Sequence, residues 1–297
     1  MGALVRSLAV VLVVGLPRAA AAQASANGLP SVSPDGRLVA FVGSRDGHDR
    51  LFLIDADGRH QRELPVGDTD SRMPRWSAAG EVLYGGTGPD TGTVFAARIN
   101  GGTPRLVASV PGRSPVLAPN GRSVLYLAGP WTSTALVEAA ADGSLARTIA
   151  GGGTTAWNGA WSPDGGSVAY AYGDSTRRLQ VHVVGRDGSG DRALTHTTRE
   201  EGSAQMPAWS PDGRRLAVQV NRLAAHSSEI WIVDVATGAV RRPAPHADAW
   251  LDETPSWFPD GTSLAFQSNR TGAMEVWVMN ADGSRARQLT GRAATPR

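Results

Sequence analysis

The sequence predicts an all-β fold, a six-bladed β-propeller of four-stranded antiparallel blades. Three observations carry the prediction. A short turn recurs six times: Ser33-Pro34-Asp35-Gly36, Ser77-Ala78-Ala79-Gly80, Ala118-Pro119-Asn120-Gly121, Ser162-Pro163-Asp164-Gly165, Ser210-Pro211-Asp212-Gly213 and Phe258-Pro259-Asp260-Gly261. Its glycines are 44, 41, 44, 48 and 48 residues apart, a period that marks repeated supersecondary units. Between the turns lie short apolar runs broken by Asp-Gly pairs, and none shows the 3.6-residue period of a helix.

Unit one shows the four-beat order. Leu29–Val32 is a first strand and Leu38–Val42 a second. Leu51–Ile54 is a third, and a fourth begins at Arg62-Glu63-Leu64. Later units repeat it, with third strands centred on Phe95, Val137, Val181, Trp231 and Trp277. The blades are expected at about 29–66, 70–108, 113–150, 156–195, 204–243 and 252–290. One four-stranded sheet covers neither of its faces, so radial packing of the blades is what buries both. Trp76, Trp161, Trp209 and Trp257 precede four of the turns, where Val32 and Leu117 stand in the other two. These indoles are expected as filler between blades rather than as sugar-stacking platforms. Unit one carries its own first strand and unit six its own fourth, around Arg287-Gln288-Leu289. The ring is therefore expected to close without strand exchange between the termini, with Gln23 to Gly28 as an extra edge segment.

In the turn, Pro presets φ, Asp caps the backbone and Gly takes the positive φ. An acid repeated once per unit in a turn reads as structural, which takes Asp35, Asp164, Asp212 and Asp260 out of the catalytic candidates.

Composition excludes several chemistries. There is no Cys, hence no disulfide, thiolate ligand or Cys nucleophile. All 29 basic residues are Arg, so a Walker lysine or a Schiff-base lysine is absent. The N-terminus reads as an export signal. Arg6 precedes the apolar run Leu8–Leu16, and Ala20-Ala21-Ala22 and Ala22-Gln23-Ala24 offer small-x-small cleavage sites. Residues 1–22 are taken as the signal peptide, cleaved near 22–24, and 23–297 as the propeller. Cleavage removes Arg6 and Arg18 and leaves 27 Arg against 27 acids. That balance gives no nucleic-acid footprint. No transmembrane anchor is expected after cleavage, and the destination is the periplasm or the medium.

Three phrases resemble one known repeat type: Pro207-Ala208-Trp209-Ser210-Pro211-Asp212-Gly213, Ser268-Asn269-Arg270-Thr271-Gly272 and Val276-Trp277-Val278-Met279-Asn280-Ala281-Asp282-Gly283. They look like the WD40-like repeats of the TolB propeller family, and Arg287-Gln288-Leu289-Thr290 is similar to its repeat ending. The resemblance covers roughly residues 29–290. It implies a propeller that binds protein in the cell envelope, here without the α/β domain that precedes the propeller in TolB. The same repeat type resembles the propellers of prolyl-oligopeptidase-like peptidases, but the Gly-x-Ser-x-Gly elbow of their hydrolase domain does not occur here.

The repeating turn fixes the phase of every unit and exposes a position that does not repeat. Four residues before the Trp position stand Gly28, Arg72, Arg113, Trp157, Gln205 and Glu253. With their neighbours Asp70, Asn158 and Asp252 they are expected to ring one channel mouth and to contact a protein or peptide. The loops Gly85–Gly92 and Gly129–Thr134, the latter with Trp131, are further candidate contacts. No catalytic residue, metal or cofactor is assigned. The alternative left open is a metal-dependent propeller lyase or glycan-processing enzyme using end-face loops, with His196, His226 and His246 as its metal ligands. Their spacing matches no metal motif.

Overall fold

The computed structural model describes residues 27–67, 72–87, 91–153, 155–173, 178–222, 225–243, 247 and 249–291. Among these residues, twenty-four strands form six four-stranded sheets, and within each sheet the strands follow chain order. The fold is the expected six-bladed propeller. The first strands of its blades are Asn27–Val32, Arg72–Trp76, Arg113–Leu117, Ala156–Trp161, Ser203–Trp209 and Asp252–Trp257. These strands pack on one another around the ring and form its inner wall.

Burial follows the logic of radial packing. Six apolar clusters fill the six junctions between blades, one each. At blades 3 and 4, for example, Leu125, Leu127 and Leu136 pack with Trp161, Val168 and Tyr170. The tryptophans have a second task there. Each indole N–H donates to the preceding blade's inner strand: Trp76 to Ser31 O (2.9 Å), Trp161 to Val116 O (3.3 Å), Trp209 to Ala160 O (3.0 Å) and Trp257 to Ala208 O (3.1 Å).

Arginines link the outer edges in the opposite direction. Arg62, Arg147, Arg192 and Arg287, all on fourth strands, donate to Ile99 O, Arg186 O, Val235 O and Ala56 O of the following blade. Between blades 3 and 4 the buried Glu138 also accepts from both Arg147 and Arg186. Burial opposes the ionisation of Glu138. The Arg186 guanidinium, the Ser123 hydroxyl and Arg147 outweigh it and hold the carboxyl below the ordinary glutamate range.

Among the described residues the ring closes without strand exchange, as expected. Its ends meet through Asn27 N–H on Met274 O at 2.9 Å; the edge segment expected before Asn27 lies outside the described residues. The recurring turn is a closed hydrogen-bond loop. Ser33 Oγ donates to Asp35 Oδ1 (2.7 Å) and accepts from Leu38 N–H (2.9 Å), and Asp35 Oδ1 also accepts from Arg37 N–H (3.0 Å). Gly36 sits at φ 71°, the left-handed region. Blades 4 and 5 repeat the pattern. The serine hydroxyl is the leading cause that holds Asp35, Asp164 and Asp212 below the usual carboxylate range. These acids are committed to their turns.

Candidate functional site: the channel mouth

The six positions that differ from blade to blade are held by a shared backbone device. Each first strand carries a β-bulge just after them. The residue next in sequence is left-handed in every blade: Leu29, Met73, Ser114, Asn158, Met206 and Thr254, all with φ between 50° and 53°. None is glycine, so each costs of order 1 kcal/mol that the surrounding packing must offset. The bulge sets two residues against one on the second strand, so residues three apart share a face. The residue before the Trp position therefore faces the following blade, as Val116, Ala208 and Ser256 do. Cross-strand pairing confirms the phase: Gly28 faces Val42, Arg72 faces Gly85, Arg113 faces Leu127, Trp157 faces Ala171, Gln205 faces Gln219 and Glu253 faces Gln267.

The mouth is not uniform. Around blades 6 and 1, with Gln219 and Ser228 of blade 5, its polar groups satisfy one another. Gln267 Oε1 accepts from Leu29 N–H (2.8 Å), and Gln267 Nε2 donates to Glu253 Oε2 (2.8 Å). Ser228 Oγ donates to Glu253 Oε1 at 3.1 Å. Gln219 Oε1 accepts from Thr254 N–H at 3.1 Å. A Cβ at position 28 would clash with the Gln267 amide oxygen. Asp252 is buried in an ion pair with Arg270 and accepts from Ser268 Oγ (2.7 Å). Arg270 in turn lies against the Trp250, Phe266 and Trp277 rings. Asp252 and Glu253 are thus used by the scaffold.

Around blades 3 and 4 the arrangement is open. The Arg113 guanidinium lies 4.0 Å from the centre of the Trp131 ring, and Trp131 lies 5.0 Å from Trp157 at 31°. Two residues from the ring of six and one from a candidate loop form a single stack. Trp131 is 57% exposed. Its loop is braced rather than loose: Thr155 Oγ1 donates to Trp131 O (3.0 Å), Ser133 Oγ to Gly152 O (3.1 Å) and Arg113 Nη2 to Gly129 O (2.9 Å). Arg113 Nε is buried without a partner. Gln205 and Asn158, both half-buried, make no side-chain hydrogen bond among the described residues.

Sequence reasoning had no means to join Trp131 to Trp157, because twenty-five residues separate a loop tip from a strand. It also missed Arg75. Comparing the residue before the Trp position in each blade would have shown it as one charge among small residues: Ser31, Arg75, Val116, Ala160, Ala208, Ser256.

The backbone of Arg72 takes its place in the ring, and Asp70 lies outside the described residues. His196 and His226 are exposed, and His246 lies outside the described residues. Among the described residues no three His, Asp or Glu side chains converge as a metal-ligand group. No helix among them is long and apolar enough to cross a membrane.

A model of the TolB β-propeller domain matches residues 135–296, more than half of the chain. The chain belongs to the TolB β-propeller domain family. An uncharacterized protein of Agrobacterium fabrum is 28% identical to this propeller over 197 residues, 63% of this chain and 67% of that protein. The TolB structure from Acinetobacter baumannii superposes with a TM-score of 0.65 at 18% identity, covering 87% of this propeller. This chain spans 61% of that TolB chain. An oligogalacturonate lyase in complex with manganese superposes with a TM-score of 0.59 at 15% identity, covering 89% of this chain and 77% of its own. At these identities the structural likenesses show the propeller fold.

Proposed function

We propose that the chain is an exported TolB-like propeller that holds a protein or peptide segment at its channel mouth and catalyses no reaction. The Arg113–Trp131–Trp157 stack carries this reading. An exposed indole, set in place by a braced loop and backed by a guanidinium, offers large contact area at small ordering cost. Proline, aromatic or long aliphatic side chains of a partner suit it. Gln205 and Asn158, next along the mouth, supply unengaged amides for the partner's backbone. Export rests on residues 1–22, read as a signal peptide, and places the mature propeller in the periplasm or the medium.

The test is a photo-crosslinking amino acid at position 131 in the native compartment. The expected product is one protein or peptide adduct, lost when Arg113→Glu or Trp157→Ala is added. A purified protein that forms no adduct but cleaves oligogalacturonate with added manganese would replace this reading with the lyase.

A further inference from the structure

Arg75, half-buried on the channel wall, differs from the arginines that pair with acids. Arg147 and Arg186 share Glu138, Arg222 pairs with Glu229 at 2.7 Å, and Arg270 pairs with Asp252. Among the described residues no carboxylate comes within 4.0 Å of Arg75. Among the described residues its side chain makes one hydrogen bond, from Nη1 to the carbonyl of its own neighbour Pro74 at 3.1 Å. A guanidinium has five N–H donors, so most of this one's capacity is left unused by the described residues. Burial alone pushes its pKa below the ordinary arginine value, with no acid pulling the other way.

Position explains how the group can stay unpaired. Arg75 pairs across the sheet with Leu83, which packs in the cluster between blades 2 and 3. Arg75 therefore points toward that junction from the inner wall. At four of the other five junctions a tryptophan from the following blade reaches back to this level, but blade 3 has Leu117. The inner strands of blades 2 and 3 approach one another least closely of all neighbouring pairs. The other five inner-strand residues at this level are uncharged and small, and two of them, Ser31 and Ser256, carry hydroxyls.

We propose that Arg75 anchors a carboxylate-binding site on the channel wall, three residues deeper than the ring of mouth residues. Among the described inner-strand residues at its level Arg75 is the one cation, which suits a monoanion better than a phosphate dianion. A carboxylate also fits the planar two-pronged edge of a guanidinium. It can come from a peptide C-terminus or from a small organic acid. The site rests on the surroundings of Arg75 alone and stands apart from the reading of the Trp131 stack.

Three probes separate the sources: sodium acetate against sodium chloride at equal ionic strength, acetyl-Ala-Ala-Ala with a free C-terminus, and the same peptide amidated. Binding is read by saturation-transfer NMR and by the rise in Tm on the full chain. Acetate is expected to bind the wild type and to bind Arg75→Met and Arg75→Gln at least about 10-fold more weakly, as loss of a charge-assisted hydrogen bond implies. A free-terminus peptide that binds about 10-fold more tightly than acetate, with the amide inert, assigns a peptide terminus. Equal affinities assign a small acid. The idea fails if Arg75→Met retains acetate binding, if the amidated peptide binds as well as the free one, or if no probe binds. Arg75→Met is expected to melt at or above the wild type, since it removes a half-buried charge that no described acid pairs with. A Tm well below the wild type in both variants would make the guanidinium a structural group and overturn the site. Acetate binding lost in Arg75→Met while crosslinking at position 131 persists would show that the two sites are separate.

Discussion

The junctions of blades 6 and 1 and of blades 2 and 3 both lack the tryptophan, and they make up for it in different ways. Where Val32 stands in, Val32 N–H donates to Ser256 Oγ (3.1 Å), Asn27 Nδ2 to Glu275 Oε2 (2.9 Å), Leu29 N–H to Gln267 and Arg287 to Ala56 O. Where Leu117 stands in, apolar packing around Leu83, Val124 and Tyr126 holds the blades, with one backbone hydrogen bond from Ser109 N–H to Ala141 O. Chain connectivity accounts for the contrast. Blades 2 and 3 are joined by Pro111 and Gly112 alone, so their encounter costs little loop entropy. Asn27 and Glu275 are 248 residues apart, and their junction needs specific polar contacts to hold a ring that no strand bolts shut.

Substitutions can break this comparison, and the largest effect is expected where a tryptophan is present. Trp161→Ala removes both filler and indole donor from a junction of the ordinary kind and should cost roughly 3–5 kcal/mol in urea unfolding. Glu275→Ala comes next. It strands the buried Asn27 amide and the Thr290 hydroxyl and should cost about 2–3 kcal/mol. Hydrogen exchange should rise first in residues 27–32 and 275–279, and uniform exchange across all blades would contradict a localised closure. Leu117→Trp tests the other junction. An added indole facing Arg75 should destabilise by roughly 1–3 kcal/mol, and Arg75→Ala in the same chain should recover part of it. Strict additivity of the two would show that they do not share that space.

The smallest effect is acid-linked. Glu138 is held below the ordinary glutamate pKa in the folded state, so its stabilisation is full above about pH 4.5 and fades as pH falls through the lowered value. The stability gap between wild type and Glu138→Gln should accordingly narrow below about pH 4.5. A gap that stays constant to pH 3 would mean that the Arg147 and Arg186 contacts contribute nothing through charge.

The blades were legible because the turn residues do their work locally. Ser, Pro, Asp and Gly close their own hydrogen bonds wherever they fall, so their spacing reports the fold directly. The mouth was legible in part: the phase located Arg113 and Trp157, which the structure joins in one stack. It also grouped Asp252 with Glu253, whose neighbouring carboxylates go to a buried Arg270 pair and to Gln267. The left-handed residues were beyond reach. Leu29, Met73, Ser114, Asn158, Met206 and Thr254 share no chemistry that favours positive φ; the bulge is imposed by the packing of complete blades. The uniform use of Arg was legible as composition but not as purpose, since the donors on fourth strands reach a carbonyl of another blade.

The indole contacts have a direction. Trp76, Trp161, Trp209 and Trp257 each donate to the blade before their own. A blade that emerges in chain order finds its acceptor already folded on the earlier side, and nothing in these four contacts waits for later chain. The arginine contacts wait only for the next blade; the seam at Asn27 waits for the last. Propeller assembly can therefore advance vectorially from blade 1, with the ring completed in a single last event when Glu275 arrives.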